Sequence, residues 1–340
     1  MSDQALYAQH NHVVKKLVFV SILLALVVIG LGAYTRLTHA GLGCPDWPTC
    51  YGLIDVPQTA EQIAKAELAY PERPVEPAKA WNEMIHRYFA GALGLLILAI
   101  AVLSFKNRSQ GTPLRLPFLI LGIVIFQAAL GMWTVTMKLM PIVVMGHLLG
   151  GFTTLSLLFL LYLRLRAQRI NQGDYSVKKY GRYGLIGIVI LTIQIALGGW
   201  TSSNYAALSC VELPICQAGW HEQLTFDHSF DLIPPKLDTY EFGHLSHDER
   251  VTIHVMHRFG AIITTAYLAW LIIMVYIKAQ TRTFKSLAIL VGIALFSQVF
   301  LGVSNVWFSL PLSIAVGHNI VAACLMLTLI GLTYRLRRKI

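Results

Sequence analysis

The chain alternates between long apolar stretches and polar connections, and two of those connections are much longer than the others. Eight apolar stretches each approach the roughly 20 residues that a helix needs to cross a bilayer. They cover residues 13–34, 85–105, 116–137, 142–163, 183–201, 252–277, 287–308 and 312–334. This pattern predicts an all-α membrane protein with eight transmembrane helices. No small-residue cleavage site closely follows the first stretch, so we expect a retained helix rather than a signal peptide.

The composition supports a membrane protein and argues against a nucleic-acid partner. Of the 340 residues, 56% are hydrophobic and 13% are charged, whereas a soluble domain carries about 25% charged residues. A net charge of +10 is compatible with nucleic-acid binding, but the basic residues follow the loops between the apolar stretches. Membrane orientation therefore explains their placement.

Lysine and arginine collect on one side of the predicted spans. That side carries 18 of the 27 basic residues. They are Lys15, Lys16, Lys106, Arg108, Arg115, Arg164, Arg166, Arg169, Lys178, Lys179, Arg182, Lys278, Arg282, Lys285, Arg335, Arg337, Arg338 and Lys339. Because cytoplasmic loops are enriched in these residues, both termini are expected in the cytoplasm. The long loops 36–82 and 202–251 then lie on the outer face, which predicts a multi-pass protein of the bacterial inner membrane.

An internal repeat organises the chain. One constant sequence spacing separates His86 from His257, His147 from His318, Gln127 from Gln298 and Gly131 from Gly302. Each repeat contains four spans, and an even number of spans gives both repeats the same membrane orientation. The repeat therefore predicts two tandem four-helix bundles, residues 1–170 and 171–340, related by a pseudo-twofold axis along the membrane normal.

The four repeated histidines are the main candidates for chemistry. His86 and His147 begin two parallel spans at matched depth, and His257 and His318 repeat the arrangement. Two facing histidines suit axial ligation of haem iron, whereas zinc or copper would need further ligands that do not repeat. Hydrogen-bonded core histidines are the structural alternative. Small residues near these histidines would let a flat macrocycle approach the backbone, or would simply allow close helix packing. They are Gly146, Gly150, Gly151 and Gly317.

Charged residues next to these histidines differ between the repeats. Arg87 and Arg258 each follow a histidine, and a guanidinium at that place suits a haem propionate or an interfacial snorkelling role. Glu83 lies one helical turn before His86, and its repeat partner is His254. Because the carboxylate is present in just one repeat, it indicates a reactive site in that repeat and a redox relay in the other. The alternative is a solvated interfacial carboxylate.

The cysteines are also paired. Cys44 and Cys50 form a C-x5-C motif on the outer face, and Cys210 and Cys216 form a second one. An oxidising compartment favours a disulfide within each motif. A structural and a redox-active role are both compatible with the spacing.

These motifs together resemble the haem A synthase family, and the resemblance covers essentially the whole chain. They are Glu83-x-x-His86-Arg87, Gly146-His147, His257-Arg258, Gly317-His318 and the segment from Gly32 to Thr38 that leads into Gly41-Leu42-Gly43-Cys44-Pro45-Asp46-Trp47-Pro48. The resemblance implies an eight-helix oxidoreductase that oxidises a ring methyl of haem O to a formyl group, giving haem A for terminal oxidases. It also matches the bacterial members that have paired cysteines in both halves.

The resemblance further implies a role for each site residue. Haem b would be held by His257 and His318, and the substrate haem O would bind near His86 and His147, with Glu83 as the catalytic carboxylate. Expected partners are the lipid bilayer, haem O and the enzyme that supplies it, while homo-oligomers and the electron acceptor are left open. The alternatives are a dihaem b electron-transfer cytochrome, which would not need Glu83 in one half only, and a transporter with parallel repeats.

Overall fold

A computed structural model describes residues 3–110, 112–166 and 174–338, without the side chains of residues 3–11 and 110. Over these ranges the secondary structure is nine α-helices and one 3₁₀ turn, Arg108–Gln110, with no strand. The helices are α1 Asp3–Leu37, α2 Ala60–Ala69, α3 Pro77–Lys106, α4 Arg115–Thr136, α5 Pro141–Leu165, α6 Tyr180–Ser203, α7 His247–Lys278, α8 Arg282–Trp307 and α9 Leu312–Arg337. All except α2 contain a segment long and apolar enough to span a membrane. The prediction of an all-α protein with eight spans is confirmed.

Helices α3 and α7 begin several residues before their apolar stretches do, and each has a local signal at its start. Helix α3 begins at Pro77, whose ring suits the first helical position. Helix α7 begins after Ser246, which forms a capping box with Glu249. The hydrophobic pattern marks only the lipid-facing length, whereas these caps set where the helix starts. As a result, Glu83 lies almost two turns inside α3 instead of just before the start of the helix.

The first outer loop contains a helix that the hydrophobic pattern did not predict. Helix α2 starts with a capping box between Thr59 and Gln62. Its buried face is narrow, and Ala66 packs in a cluster with Cys44, Cys50 and other residues of the loop. Helix α2 therefore belongs to a folded layer around the first cysteine pair.

The chain divides into two compact units. One comprises Met1–Arg166 with Leu237–Glu241, and the other comprises Ala167–Lys236 with Phe242–Ile340. In the first unit α1 packs on α3 and α5, and α4 packs on the same two helices. In the second unit α6 packs on α7 and α9, and α8 packs on the same two helices. Each unit is thus a ring of four long helices with the same order of neighbours. The predicted domain boundary, between residues 170 and 171, lies outside the described residues, as do Arg169 and Lys339.

The repeat extends to the backbone of the connections. The turns at residues 138–139 and 309–310 consist of two successive non-glycine residues with positive φ, 50° and 65° in the first and 56° and 64° in the second. In each turn the second residue donates its amide to a carbonyl five residues back, over 2.8 Å from Leu139 and 2.7 Å from Leu310. Equivalent positions therefore adopt the same local structure. The pseudo-twofold relation between the units stays a prediction.

Candidate functional site

The first unit brings the imidazole rings of His86, on α3, and His147, on α5, close together. Their ring centroids are 6.4 Å apart and the ring planes are nearly perpendicular, at 85°. Two metal–nitrogen bonds of about 2 Å each, added to two imidazole half-rings, span roughly 6 Å. Nδ1 of each ring is buried. The separation of the rings fits two axial ligands of a single haem iron.

A glycine on a neighbouring helix contacts the edge of each of the four histidines. A Cβ added at Gly32, Gly198 or Gly302 would lie 3.1 Å from Cε1 of the facing histidine, and one added at Gly131 would lie 3.4 Å away. These glycines face His86, His257, His318 and His147 respectively. Larger residues would push the imidazoles out of place, so the four glycines fix how closely the rings approach α1, α4, α6 and α8.

The glycines that flank the histidines in sequence have other surroundings. A Cβ at Gly146 would meet only Leu130, at 3.9 Å, and one at Gly317 would meet only Leu301, at 3.8 Å. Gly150 lies against the side chain of Gln127, and a Cβ at Gly151 would meet no atom within 4 Å. Their role in admitting a flat macrocycle or in helix packing stays a prediction, and the glycines that contact the imidazoles are different ones. The contacts of Gly32 and Gly198 with histidines were not predicted, because the spacing between these glycines is shorter than the spacing that relates the histidines.

Glutamine side chains contact both histidines of the second unit. Nε2 of Gln194, on α6, lies 3.1 Å from Nδ1 of His257 and donates to the backbone carbonyl of the same residue at 3.1 Å. Nε2 of Gln298, on α8, lies 3.1 Å from Nε2 of His318. At the spacing that relates Gly32 to Gly198, the counterpart of Gln194 is Val28. An amide can hold an imidazole ring in one orientation, so His257 has a side-chain amide contact, whereas Val28 contacts His86 through its backbone only.

Glu83 is a buried carboxylate with two hydrogen-bonding groups around it. Its side chain is 6% exposed. Oε1 accepts a hydrogen bond from Nη2 of Arg87 at 2.5 Å, and Oε2 accepts the backbone N–H of Cys44 at 2.9 Å. This arrangement rules out the interpretation as a solvated interfacial residue. The carboxylate links the helix that carries His86 to the first cysteine loop.

Arg87 and Arg258 bind the two cysteine loops. Arg87 donates to the carbonyls of Asp46 at 3.0 Å and Thr49 at 2.7 Å. Arg258 donates to the carbonyl of Glu212 at 2.5 Å and to that of Ile215 at 2.6 Å, the equivalent places in the second C-x5-C motif, and also to the carbonyl of Cys210. The pairing of these arginines with haem propionates stays a prediction. The sequence pattern did not predict that they bind the cysteine loops. Contacts between residues so distant along the chain have no local signature.

Both cysteine motifs form the predicted disulfides. Cys44 bonds to Cys50 and Cys210 bonds to Cys216. The first disulfide packs on Ala80 and Met84 of α3, and the second packs on Val251 and Val255 of α7. Each loop is therefore fastened to the helix that carries the first histidine of its repeat.

The first cysteine loop also orders a tyrosine. The hydroxyl of Tyr51 donates to the carbonyls of Arg73 and Pro74, each at 3.2 Å. Burial raises the pKa of Tyr51 to about 12. The phenol therefore remains neutral at physiological pH and acts as a hydrogen-bond donor that closes the loop.

Within the described residues there is no cluster of three or more His, Cys, Asp or Glu side chains that could hold a metal ion.

Comparison with known proteins adds a family match over nearly the whole chain. Residues 15–330 match the family model COX15-CtaA, described as cytochrome oxidase assembly protein. A protein named "Heme A synthase" from Shewanella oneidensis is 50% identical over 320 residues, which cover 94% of this chain and 96% of that relative. Proteins with the same name from Neorickettsia sennetsu and Bacillus licheniformis are each 26% identical, over 90% and 64% of this chain and over 94% and 70% of the relatives.

Proposed function

This chain belongs to the COX15-CtaA family of cytochrome oxidase assembly proteins, and on that premise we propose that it is a haem A synthase. The observation that carries this proposal is the 50% identity with "Heme A synthase" of Shewanella oneidensis over 94% of the chain. The activity is an oxidation in which a ring methyl of haem O becomes the formyl group of haem A. The enzyme is a multi-pass membrane protein with eight spans.

We propose that the two pairs of histidines hold different haems. The substrate haem O would bind between His86 and His147, whose spacing of 6.4 Å between ring centroids suits two axial ligands. The resident haem b would be held by His257 and His318 and would supply reversible one-electron transfer. The amide contact of Gln194 with His257 supports a permanent site in the second half. His86 has Val28 at the equivalent place and lacks this side-chain amide.

In this mechanism Glu83 transfers protons at the reacting carbon. Converting a methyl group to an aldehyde removes protons and electrons from the carbon and adds one oxygen. Glu83 lies one helical turn from His86, on the same side of α3. Its carboxylate is held by Arg87 and by the amide of Cys44. A fixed carboxylate can accept a proton or stabilise a developing positive charge, and Arg87 is the positioning residue that orients it.

The second half lacks this group, which favours the enzyme over the electron-transfer cytochrome. The position of Glu83 is taken by His254, which is 4% exposed. Two purely electron-carrying sites would not need a buried carboxylate in one half only. The asymmetry therefore supports chemistry in the first half and electron relay in the second.

The experiment that tests the function is extraction of haem after co-expression with a source of haem O. We expect haem A in cells that produce this chain, and haem O alone in cells that carry the empty vector. A chain that is inserted and binds haem b but leaves haem O unchanged would be an electron-transfer cytochrome, and the enzyme proposal would be wrong.

We further propose that the protein lies in the bacterial inner membrane with both termini in the cytoplasm. The concentration of 18 of 27 basic residues on one side supports this orientation. Reporter fusions after Gln110 and Asp174 are expected to give cytoplasmic signals, and fusions after Tyr70 and Asp238 periplasmic ones. A periplasmic signal at Asp174 would contradict the topology. Haem O is poorly soluble in water, so delivery within the bilayer from the enzyme that makes it is part of the proposal.

A further inference from the structure

Four basic side chains surround a cavity where α6 begins and α9 ends, within the second unit. The cavity has a volume of about 390 Å³ and is lined by Lys178, Lys179, Arg182 and Arg337, with Gly181 and Leu336 completing the lining. Gly181 and Leu336 are buried, whereas the four basic residues are exposed. The result is a shallow, open and strongly cationic depression with a partly apolar lining, at the opposite end of α9 from His318.

The close approach of the two helix ends depends on Gly181. A Cβ at this position would lie 2.7 Å from Cγ of Arg337 and 3.3 Å from the backbone carbonyl carbon of Leu336. Only glycine lets the stem of Arg337 cross the first turn of α6. No side chain caps the start of α6, so its positive helix end adds to the field of the four cations.

The charge of the cavity is not balanced by the protein. None of the four basic residues forms an ion pair with an acidic side chain of the described part of the chain. Lys179 and Arg182 lie over the rings of Tyr180 and Tyr183, at 5.4 and 5.1 Å from the centroids. Such contacts orient cations without neutralising them. Four like charges around one concavity favour an anionic ligand that contacts several of them together.

The surroundings place the cavity at the depth of lipid headgroups. Tyr180, Tyr183, Tyr267 and Trp270 form a contiguous aromatic cluster beside it, with ring centroids 5.3–6.5 Å apart. Aromatic clusters of this kind mark the interface between bilayer and water. The lining between the cations is partly apolar. A ligand there has its charged group among lysine and arginine and its apolar part along the helices.

We propose that this cavity binds the phosphate of an anionic phospholipid headgroup. Guanidinium groups pair with phosphate through two parallel hydrogen bonds, and basic pockets between spans are suited to anionic lipids. The chemistry alone would also accept inorganic phosphate, but the interfacial depth and the apolar lining favour the lipid. The proposal does not depend on the assignment of either haem site.

The test is lipid retention by the purified full-length protein, measured by native mass spectrometry after exchange into neutral detergent. Phosphatidylglycerol, cardiolipin and phosphatidylcholine are added in turn, and inorganic phosphate serves as the competitor. The site variant is Arg182→Gln with Arg337→Gln. The internal repeat offers a matched control, because the counterparts of these residues are Lys16 and Arg166, while Lys15 stands in place of Gly181. The control is therefore Lys16→Gln with Arg166→Gln.

We expect the wild type and the control to retain an anionic lipid and the site variant to bind it about thirtyfold more weakly, as the loss of two charges at a membrane surface implies. Equal retention by the site variant, equal binding of phosphatidylcholine, or displacement of the lipid by millimolar inorganic phosphate would each overturn the proposal. If the site variant does not insert, Lys178→Gln with Lys179→Gln, at two exposed positions, tests the same cavity with the same expected loss.

Discussion

Replacing Glu83 by glutamine is expected to lower the rate of haem A formation about 10²–10⁴-fold, the usual contribution of a general acid or base. Glutamine keeps the length of the side chain and an oxygen that can accept from Arg87 or Cys44, but it loses the charge and the capacity to take up a proton. Haem O, or a partly oxidised intermediate, should accumulate. The measurement is extracted-haem analysis of membranes that contain equal amounts of each variant.

Burial of Glu83 makes the choice of controls important. Arg87 would lose a charged partner, yet it would still donate to the carbonyls of Asp46 and Thr49, so we expect the variant to insert and to keep its resident haem. Glu76→Gln is the matched control, because Glu76 precedes the same helix and its side chain is 58% exposed. A near wild-type rate in Glu83→Gln would refute the catalytic role. Loss of haem b or of folding would make the role structural.

Replacing His257 or His318 by alanine is expected to abolish the low-spin signal of haem b, because each histidine supplies an axial bond that no neighbouring side chain replaces. Replacing His86 or His147 should leave most of that signal and instead impair the handling of haem O. The measurement is the reduced-minus-oxidised absorption spectrum of the purified protein, with haem content per chain determined in parallel.

The control for the second half is His254→Gln. His254 is buried and lies three residues before His257 on the same helix, but it is not a predicted ligand. Its replacement should therefore retain haem b. A normal low-spin spectrum in His257→Ala, or loss of the signal in His86→Ala alone, would show that the haems are assigned to the wrong halves.

Much of the fold could be predicted because its signals are local. The eight spans follow from the length of each apolar stretch, and all eight match helices of the structure. Helix starts were less predictable, as α3 and α7 show, because Pro77 and the Ser246–Glu249 capping box extend them beyond the lipid-facing residues. The small helix α2 has too few buried residues to give a clear apolar pattern.

The candidate site residues were recognised through repetition and through the family resemblance. The constant spacing that relates His86 to His257 and His147 to His318 pointed to a duplicated pair, and the resemblance suggested what each pair would hold. The contacts of Gln194 were missed although a glutamine within an apolar span is itself a signal, since polar groups there need a partner. The glycines facing His86 and His257 were missed because the second outer loop is longer than the first. As a result, residues before the loops are separated from their repeat counterparts by fewer positions than residues after the loops.

The sequence by itself determined the class of the protein, its eight spans, the paired cysteines and the histidines that repeat. Only the tertiary structure decided that Glu83 is buried against Cys44 and that Arg87 and Arg258 bind the cysteine loops. The physical reason is the distance along the chain over which each kind of signal acts. Hydropathy and helical periodicity act over one or a few turns, whereas these hydrogen bonds join residues 38 to 43 positions apart. Their formation depends on how loop and helix pack together, which no local pattern specifies.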